Sequence, residues 1–199
     1  FTLASDGGAR EDLGSFGWEI AIGREVLWQC KGPTFGIRPG SFRAESHGFI
    51  SALLFLQAHV HYFTTAIDQN ITHDFYCDSD SLLKRLQRAL TRSWVNPSHC
   101  LSSDFDLESG ILNIVATLSI SFKYLHVKSH QDDATEVHLL PWAAQMNVHA
   151  DTLATDYLDN CAEPSKRVPF IPASQASLTI RGETITRRFA QRLRQAANS

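Results

Sequence analysis

The stretch Ser41–Gln57, "SFRAESHGFISALLFLQ", has the pattern of an amphipathic helix with a carboxylate on its apolar side. From Ala44 onward, apolar residues recur at the three- and four-residue spacing of one buried helical face: Ala44, Phe49, Ala52, Leu53, Leu56 and Val60. Glu45 lies on or beside this stripe, and we expect it in the first turn of the helix. Two interpretations are open. Either the carboxylate meets the positive end of the helix macrodipole, or its oxygens serve a ligand inside the protein.

The composition is typical of one globular domain with a small appendage, since 43% of the 199 residues are hydrophobic and 20% are charged. No segment reaches the roughly 18 uninterrupted apolar residues of a membrane span, and no signal peptide opens the sequence. We therefore expect no membrane partner. Because residue 1 is Phe and a strand-like run begins at once, we expect a piece of a longer polypeptide.

The four cysteines, Cys30, Cys77, Cys100 and Cys161, form no CxxC pair and have no His partner at zinc-ligand spacing. We interpret them as reduced, mostly buried thiols. This pattern predicts an intracellular protein, in the cytoplasm or nucleus and not secreted.

Charge is distributed unevenly along the chain. Residues 1–161 carry 11 Lys and Arg against 19 Asp and Glu, whereas residues 162–199 carry 7 against 2. We predict a catalytic domain over 1–161 and a Pro-rich linker with a basic C-terminal extension over 162–199. Within the extension we expect a hairpin that turns at Arg181–Gly182 and then a basic helical run.

Three meandering strands followed by two strand–helix alternations predict an α/β fold with a mixed sheet. The predicted strands are "FTLASD", "FGWEIAI", "EVLWQCK", "HDFYC" and "SFKYLHVKS". We expect the first strand to end at Asp6 in a Gly-rich turn. The later helices are "SDSLLKRLQRAL", "DFDLESGILNIVATL" and a long helix from Pro141 to about Asn160.

Four carboxylates stand where the ends of these elements would meet, namely Asp6, Glu45, Asp78 and Asp151. Clustered carboxylates raise one another's pKa values and are costly to bury unless a cation neutralises them. Oxygen ligands favour magnesium or manganese over zinc. Two such ions about 4 Å apart support phosphodiester hydrolysis, so the cluster predicts a nuclease.

Other residues near helix starts have simpler interpretations. Asp104 and Asp106 are interpreted as helix-start charges, and Ser79 or Asp80 as the cap of the helix after Asp78. His126 alternates within its strand and is interpreted as structural.

At the acidic cluster the chain resembles the type 1 ribonuclease H family, in particular the ribonuclease H domain attached to retroelement reverse transcriptases. The resemblance is carried, in order, by "SDGGA" with "GSFGWEI", "SFRAESHGFISAL", "FYCDSDSLL", and "HVKSH" with "NVHADTLA". Each motif is weak alone, but four in the right order over about residues 1–160 are specific. The resemblance implies a ribonuclease H-like fold, a mixed five-stranded sheet with helices on both faces, with a small C-terminal hairpin-helix extension added here.

The resemblance also implies roles for individual residues. Asp6, Glu45, Asp78 and Asp151 would hold two Mg²⁺ ions, with Mn²⁺ as a substitute. His130 would assist proton transfer or product release from a mobile loop, and Asn147, one helical turn before Asp151, would hold the last helix and its loop in place. The family's Asp-Gly-Ser is Asp6-Gly7-Gly8 here, so only backbone donors of Gly7 and Gly8 remain for a nucleic acid.

Basic residues supply a second set of nucleic-acid candidates. Lys84, Arg85 and Arg88 lie on the helix after Asp78, where a solvated face is the default and phosphate contact the alternative. In the extension, Arg187 and Arg188 open a crowded basic run. For that run we favour the nucleic-acid backbone as partner over the acidic body of the chain.

The leading hypothesis is therefore a metal-dependent endonuclease that hydrolyses the RNA strand of an RNA/DNA hybrid. By the resemblance we expect a polymerase domain in the parent polypeptide and no small-molecule cofactor. Two alternatives stay open: a 3′–5′ exonuclease of the same broad fold, and a non-catalytic module that braces a polymerase or binds nucleic acid. The exonucleases typically carry Asp-x-Glu on the first strand, which Asp6-Gly7-Gly8 lacks, and degenerate modules usually lose carboxylates.

Overall fold

The computed structural model describes residues 1–36, 39–63, 67–92, 99, 102–160, 178–180, 183–185 and 188–197. The strands are β1 (Thr2–Arg10), β2 (Leu13–Ile22), β3 (Glu25–Pro33), β4 (Thr72–Cys77), β5 (Ser121–His126), β6 (Leu178–Ile180) and β7 (Glu183–Ile185). The helices are α1 (Ser41–Phe63), α2 (Asp80–Thr91), α3 (Phe105–Leu118), α4 (Trp142–Asn160) and α5 (Phe189–Ala197). No helix within these ranges is long and apolar enough to cross a membrane.

The first five strands form one mixed sheet in the order β3-β2-β1-β4-β5. β1, β2 and β3 are antiparallel neighbours, while β4 runs parallel to β1 and β5 runs parallel to β4. This arrangement confirms the predicted mixed five-stranded sheet and places β4 directly beside β1.

Helices cover both faces of the sheet, as predicted. α1 packs on β1 and β2 and contacts α2 and α3, while α4 lies across β1, β2 and β3. Successive residues of β1 show that these are opposite faces, because a side chain at Gly7 would meet α1 and one at Gly8 would meet Leu158 of α4. The larger core lies on the α1 face, where Phe49 stacks on Phe75 with ring centroids 4.0 Å apart.

β1 and β4 pair only at one end and then diverge. Their ladder runs from Thr2↔Asp74 to Ala4↔Tyr76, whereas β1 continues along β2 as far as Arg10. We call this divergence, formed by residues 4–6 and 76–78, the β1–β4 fork. Asp6 and Asp78 each lie two residues beyond the last pair, so the register places them at equivalent positions on the two arms of the fork.

The predicted end of β1 at Asp6 is wrong. Gly7 and Gly8 pair with Phe16 and Ser15 of β2, and the turn comes later, at Glu11 and Asp12. Antiparallel pairing with β2 outweighs the weak strand preference of glycine here. Asp6 therefore lies inside a strand, with its backbone held by a neighbour, and not in a turn.

α1 begins at Ser41, and this position changes the interpretation of Glu45. The carbonyl of Gly40 accepts hydrogen bonds from the backbone N–H groups of Arg43 and Ala44, which fixes the first turn before Glu45 is reached. The macrodipole effect falls off within the first turn. Glu45 lies in the second turn and is only 6% exposed, so its expected position in the first turn is wrong and the macrodipole interpretation loses its basis.

Asp104 and Asp106 are more than helix-start charges. The buried guanidinium of Arg43 donates to Asp104 Oδ1 at 2.8 Å and to Asp106 Oδ2 at 2.9 Å, and its Nε donates to the carbonyl of Phe35 at 2.6 Å. We call this group the Arg43 clamp (Arg43, Asp104, Asp106). It ties the start of α1 to the start of α3, and a local sequence pattern could not predict a pairing across about sixty residues.

The C-terminal hairpin and helix are confirmed. β6 pairs antiparallel with β7 through Leu178↔Ile185, Thr179↔Thr184 and Ile180↔Glu183, and α5 follows. The predicted turn at Arg181–Gly182, Arg187 and the Pro-rich linker lie outside the described residues.

Candidate active site

The fork brings three of the predicted carboxylates together, and α4 adds the fourth. Asp6 comes from β1, Asp78 follows β4, and Glu45 reaches the fork from α1. The charges of Asp78 and Asp151 both act on Asp6, and those of Asp6 and Asp78 act on Glu45. The predicted cluster of Asp6, Glu45, Asp78 and Asp151 is thus a single electrostatic unit in the structure.

Burial dominates the electrostatics of Asp6 and Glu45. Asp6 is 7% exposed, and desolvation, reinforced by the charges of Asp78 and Asp151, raises its pKa to about 7 although the N–H of Gly7 donates to Asp6 Oδ1 at 2.6 Å. Desolvation, followed by the charges of Asp6 and Asp78, raises the pKa of Glu45 well above its ordinary value. Both carboxyl groups therefore resist ionisation unless a cation is present.

Cys77 is a member of the site that sequence reasoning missed. Its thiol donates to Glu45 Oε2 at 3.5 Å and accepts the backbone N–H of Ser79 at 3.3 Å. Single ligand atoms of Glu45, Cys77 and Asp78 all lie within 4.8 Å of one another. Because Glu45 is 32 residues away in the sequence, no cysteine spacing could have revealed this contact.

Asp78 has one buried carboxylate oxygen without a hydrogen-bond partner in the described part of the chain. Its Oδ1 is inaccessible to solvent and has no hydrogen-bond partner among the described residues. The backbone carbonyl of Asp78 is held by Nε2 of His126 at 3.1 Å, which agrees with a structural role for that histidine. A buried carboxylate oxygen without a partner is costly, and coordination of a divalent cation would satisfy it.

Asp151 and His130 lie close enough for His130 to affect the pKa of Asp151. Asp151 is half-buried, and burial raises its pKa while the nearby His130 lowers it and the charges of Asp78 and Asp132 raise it further. His130 is exposed on the loop after β5 and has a left-handed backbone with φ 52°. Asn147 lies one turn before Asp151, is buried, and has an Oδ1 with no partner among the described residues.

The two glycines after Asp6 have packing roles in addition to their predicted nucleic-acid role. A Cβ on Gly7 would lie 2.2 Å from the backbone of Ala44 and Glu45, so α1 can approach β1 only because this residue lacks a side chain. A Cβ on Gly8 would lie 2.8 Å from Leu158 of α4. The N–H of Gly7 is also engaged, since it donates to Asp6.

The predicted basic residues do not form one surface. Lys84 is exposed and pairs with Asp80 at 2.6 Å, and Arg88 is exposed on the same helix. Arg85 instead pairs with buried Glu108, donates to the carbonyl of Ser103 at 2.7 Å and lies over the ring of Phe42. These contacts occupy the guanidinium of Arg85 in joining α2 to α3.

The remaining predicted residues lie in the C-terminal extension and at the start of α2. Arg188 is exposed and has a φ of 55° just before α5, whereas Arg187 lies outside the described residues. Ser79 occupies the N-cap position of α2 without a side-chain capping bond, and Asp80 is the first helical residue.

The raised pKa values predict a pH dependence of the free energy of unfolding in the absence of divalent cations. The pKa of Asp6 rises from an ordinary 3.8 to about 7 in the folded protein, so folding stabilises the protonated form. This stabilisation is present at low pH and is lost as the pH rises through about 7. Urea unfolding in EDTA should therefore show a free energy of unfolding that falls between about pH 4 and pH 7 and levels off above that range.

Asp6→Asn is the control for this pH dependence. The variant should show a smaller fall over the same range, and the remainder should include Glu19, whose pKa burial also raises to about 7. An identical fall in the parent and in Asp6→Asn would contradict the assignment to Asp6.

Comparisons with known proteins agree on the fold. No protein-family model and no curated protein matches the sequence. Among solved structures, LC11-RNase H1 in complex with an RNA/DNA hybrid is 17% identical with a TM-score of 0.57, covering 79% of this chain and 96% of its own. RNase H1 from Halobacterium salinarum NRC-1 is 19% identical with a TM-score of 0.52, covering 80% of this chain and 98% of its own.

Part of a viral protease-reverse transcriptase has the same fold as this chain. The protease-reverse transcriptase of prototype foamy virus is 17% identical with a TM-score of 0.50, and the match covers 84% of this chain and 21% of the viral protein. Identities of this size establish a shared fold and no more. The sheet order, the helices on both faces and these structural neighbours together show that the chain has the ribonuclease H-like fold.

Proposed function

We propose that the chain is a divalent-metal-dependent endonuclease that hydrolyses the RNA strand of RNA/DNA hybrids. The observation that carries the proposal is the meeting of Asp6, Glu45, Asp78 and Asp151 at the β1–β4 fork of a ribonuclease H-like fold. The structure of LC11-RNase H1 with an RNA/DNA hybrid supports the choice of substrate.

The donor set fits hard divalent cations. Asp6, Glu45, Asp78 and Asp151 would hold two Mg²⁺ ions, with Mn²⁺ as a substitute, since carboxylate oxygens suit these ions. The unpartnered Oδ1 of Asp78 and the mutual repulsion of the carboxylates are what such ions would relieve. When bound, the ions would supply activation of the attacking water and stabilisation of the leaving oxygen.

The protein's own groups position the substrate and move protons. Asp6 and Asp78 are fixed by strand register, so the reacting phosphate would be aligned by the backbone of the sheet. His130, exposed and close enough to Asp151 to affect its pKa, is placed to pass a proton to or from solvent. Selection of RNA would use the 2′-hydroxyl and the shape of the hybrid, which differ from those of B-form DNA.

We further propose a retroelement context. The prototype foamy virus structure supports it, because there a region similar to this chain belongs to a larger protease-reverse transcriptase. In this proposal residues 1–161 form the catalytic domain, residues 162–199 form the linker and basic extension, and a polymerase domain belongs to the parent polypeptide.

The test of the proposed function is an assay of the purified chain on end-labelled RNA/DNA, RNA/RNA and DNA/DNA duplexes with Mg²⁺, Mn²⁺ or EDTA. We expect internal cleavage of the RNA strand in the hybrid only, and none in EDTA. Stepwise release of nucleotides from a 3′ end would favour an exonuclease. Binding of the hybrid without cleavage under every metal condition would favour a non-catalytic module.

His130→Ala should slow cleavage by up to about a hundredfold and leave residual activity, since a loop histidine assists proton movement or product departure while other groups stabilise the transition state. Single-turnover and steady-state rates would separate these two roles. His138→Ala is the matched control, because His138 is exposed in the same loop and contacts Glu136 at 3.4 Å. Complete loss of single-turnover cleavage with metal binding intact would contradict an assisting role.

Truncation after Ala162 should raise KM for the hybrid, leave kcat little changed and flatten the salt dependence of KM by roughly 0.9 in log–log slope per lost phosphate contact. The reason is that the extension is basic whereas the body is acidic. Changing Arg188, Arg192 and Arg194 to Gln in the full chain should reproduce the effect if charge is its cause. An unchanged KM with a lowered melting temperature would mean that the extension is a structural strap.

A further inference from the structure

The thiol of Cys77 makes the donor set at the fork mixed, with both sulfur and oxygen. Cys77 is the last residue of β4 and is fully buried. Its Sγ lies 3.5 Å from Glu45 Oε2. Together with one carboxylate oxygen of Asp78, the ligand atoms of these three residues all lie within 4.8 Å of one another. Glu45 is more than nine-tenths buried, and Asp78 Oδ1 has no partner among the described residues.

This geometry suits a different class of cation from the one proposed for cleavage. Mg²⁺ and Mn²⁺ prefer oxygen, so with these ions the thiol remains a hydrogen-bond donor to Glu45. Zn²⁺ and Cd²⁺ accept thiolate together with carboxylate ligands. Around a tetrahedral zinc with bonds of about 2.1 to 2.3 Å, ligand atoms are about 3.4 to 3.8 Å apart. The Cys77–Glu45 separation already falls in that range.

We propose that Cys77, Glu45 and Asp78 form a binding site for thiophilic divalent cations such as Zn²⁺ and Cd²⁺, and that its occupation inhibits the chain by displacing the ions that cleavage requires. On binding, the Cys77 thiol releases its proton to solvent, and the sulfur bonds to the metal without any change of oxidation state. The site is competitive with hard cations because it shares Glu45 and Asp78 with them.

Cys30 provides the internal comparison. It is part-exposed on β3, and its thiol donates to the carbonyl of Lys31 at 3.6 Å. The group of Cys77 is the one set of three such ligands within 4.8 Å among the described residues, and Cys30 is not in it. A metal effect specific to this site should therefore follow Cys77 and not Cys30.

The binding experiment uses Cd²⁺ alone and does not depend on nuclease activity. In a chain with Cys30, Cys100 and Cys161 changed to Ser, we expect one Cd²⁺ per chain and a thiolate-to-cadmium charge-transfer absorption in the ultraviolet. Adding Cys77→Ser should abolish the band. Glu45→Gln, which keeps the thiol, should weaken Cd²⁺ binding at least tenfold, and excess Mg²⁺ should compete.

A Cd²⁺ affinity unchanged by Glu45→Gln would overturn the proposal, because it would mean that the thiol binds without its carboxylate partners. Absence of the charge-transfer band in the chain that keeps only Cys77 would overturn it as well. If the serine variants fail to fold by circular dichroism, Glu45→Gln and Asp78→Asn in the parent chain test the same site with every thiol in place.

The test of inhibition by Zn²⁺ rests on the proposed function. At fixed Mg²⁺, the Zn²⁺ concentration that halves hybrid cleavage should rise at least tenfold in Cys77→Ser and stay unchanged in Cys30→Ser. Equal sensitivity of the parent and Cys77→Ser would refute inhibition through this site. If the chain cleaves no hybrid, the proposed function fails, while the Cd²⁺ measurement still decides the binding site.

Discussion

Asp78→Asn is expected to lower the rate of hybrid cleavage at least about a thousandfold without unfolding the chain. A lost metal ligand removes several kcal/mol of transition-state stabilisation, and about 4 kcal/mol corresponds to a factor of a thousand. The charge of Asp78 raises the pKa values of Asp6 and Glu45, so its removal relieves repulsion. The melting temperature in EDTA should therefore stay equal or rise.

Asp80→Asn is the matched control for this prediction. Asp80 lies two residues further on, is exposed, and pairs with Lys84 in an i, i+4 arrangement worth under about 1 kcal/mol. It should retain cleavage close to that of the parent. If Asp78→Asn instead melts several degrees below the parent without metal, Asp78 has a structural role that the acidic cluster does not explain.

Arg43→Met should lower the free energy of unfolding by about 3 to 5 kcal/mol, the usual cost of removing one partner from a buried ion pair. Arg43 is 2% exposed, and the side chain of Asp104 is 9% exposed. The substitution would remove the guanidinium that bridges the carboxylates of Asp104 and Asp106. Urea denaturation, with comparable m-values as the check on two-state behaviour, measures the loss.

Two comparisons separate the Arg43 clamp from a general effect of charge. Arg10→Met removes an exposed pair with Asp159 and should cost no more than about 1 kcal/mol. Arg43→Lys keeps the positive charge but lacks the several N–H donors of the guanidinium. The free energy of unfolding of this variant should therefore lie between those of the parent and Arg43→Met. Equal stability of Arg43→Met and Arg10→Met would contradict a stabilising clamp.

The order of elements and the acidic cluster could be predicted from the sequence because both have local signals. Alternation marked the strands, three- and four-residue spacing marked the helices, and Asp6 and Asp78 each stood next to a strand. The end of β1 was predicted wrongly, since Gly7 and Gly8 suggest a turn locally and only the pairing with Phe16 and Ser15 shows a strand.

What the sequence could not indicate, beyond the end of β1, concerns partners distant in the chain. Asp104 and Asp106 carry the local signal of a helix start, and nothing near them indicates Arg43. Arg85 looks like part of a solvated basic face until Glu108 is placed beside it. For such charges the three-dimensional neighbour decides between solvation, an internal ion pair and a ligand.

The β1–β4 fork also has a consequence for the order of folding. Its two carboxylates lie 72 residues apart in the chain, so the site cannot exist until one of the most non-local pairings of the sheet has formed. The β1–β3 meander is local and can form earlier, carrying Asp6 alone. The proposed ion binding is therefore linked to this pairing, and near neutral pH the metal-free chain must close it against the repulsion of its own clustered carboxylates.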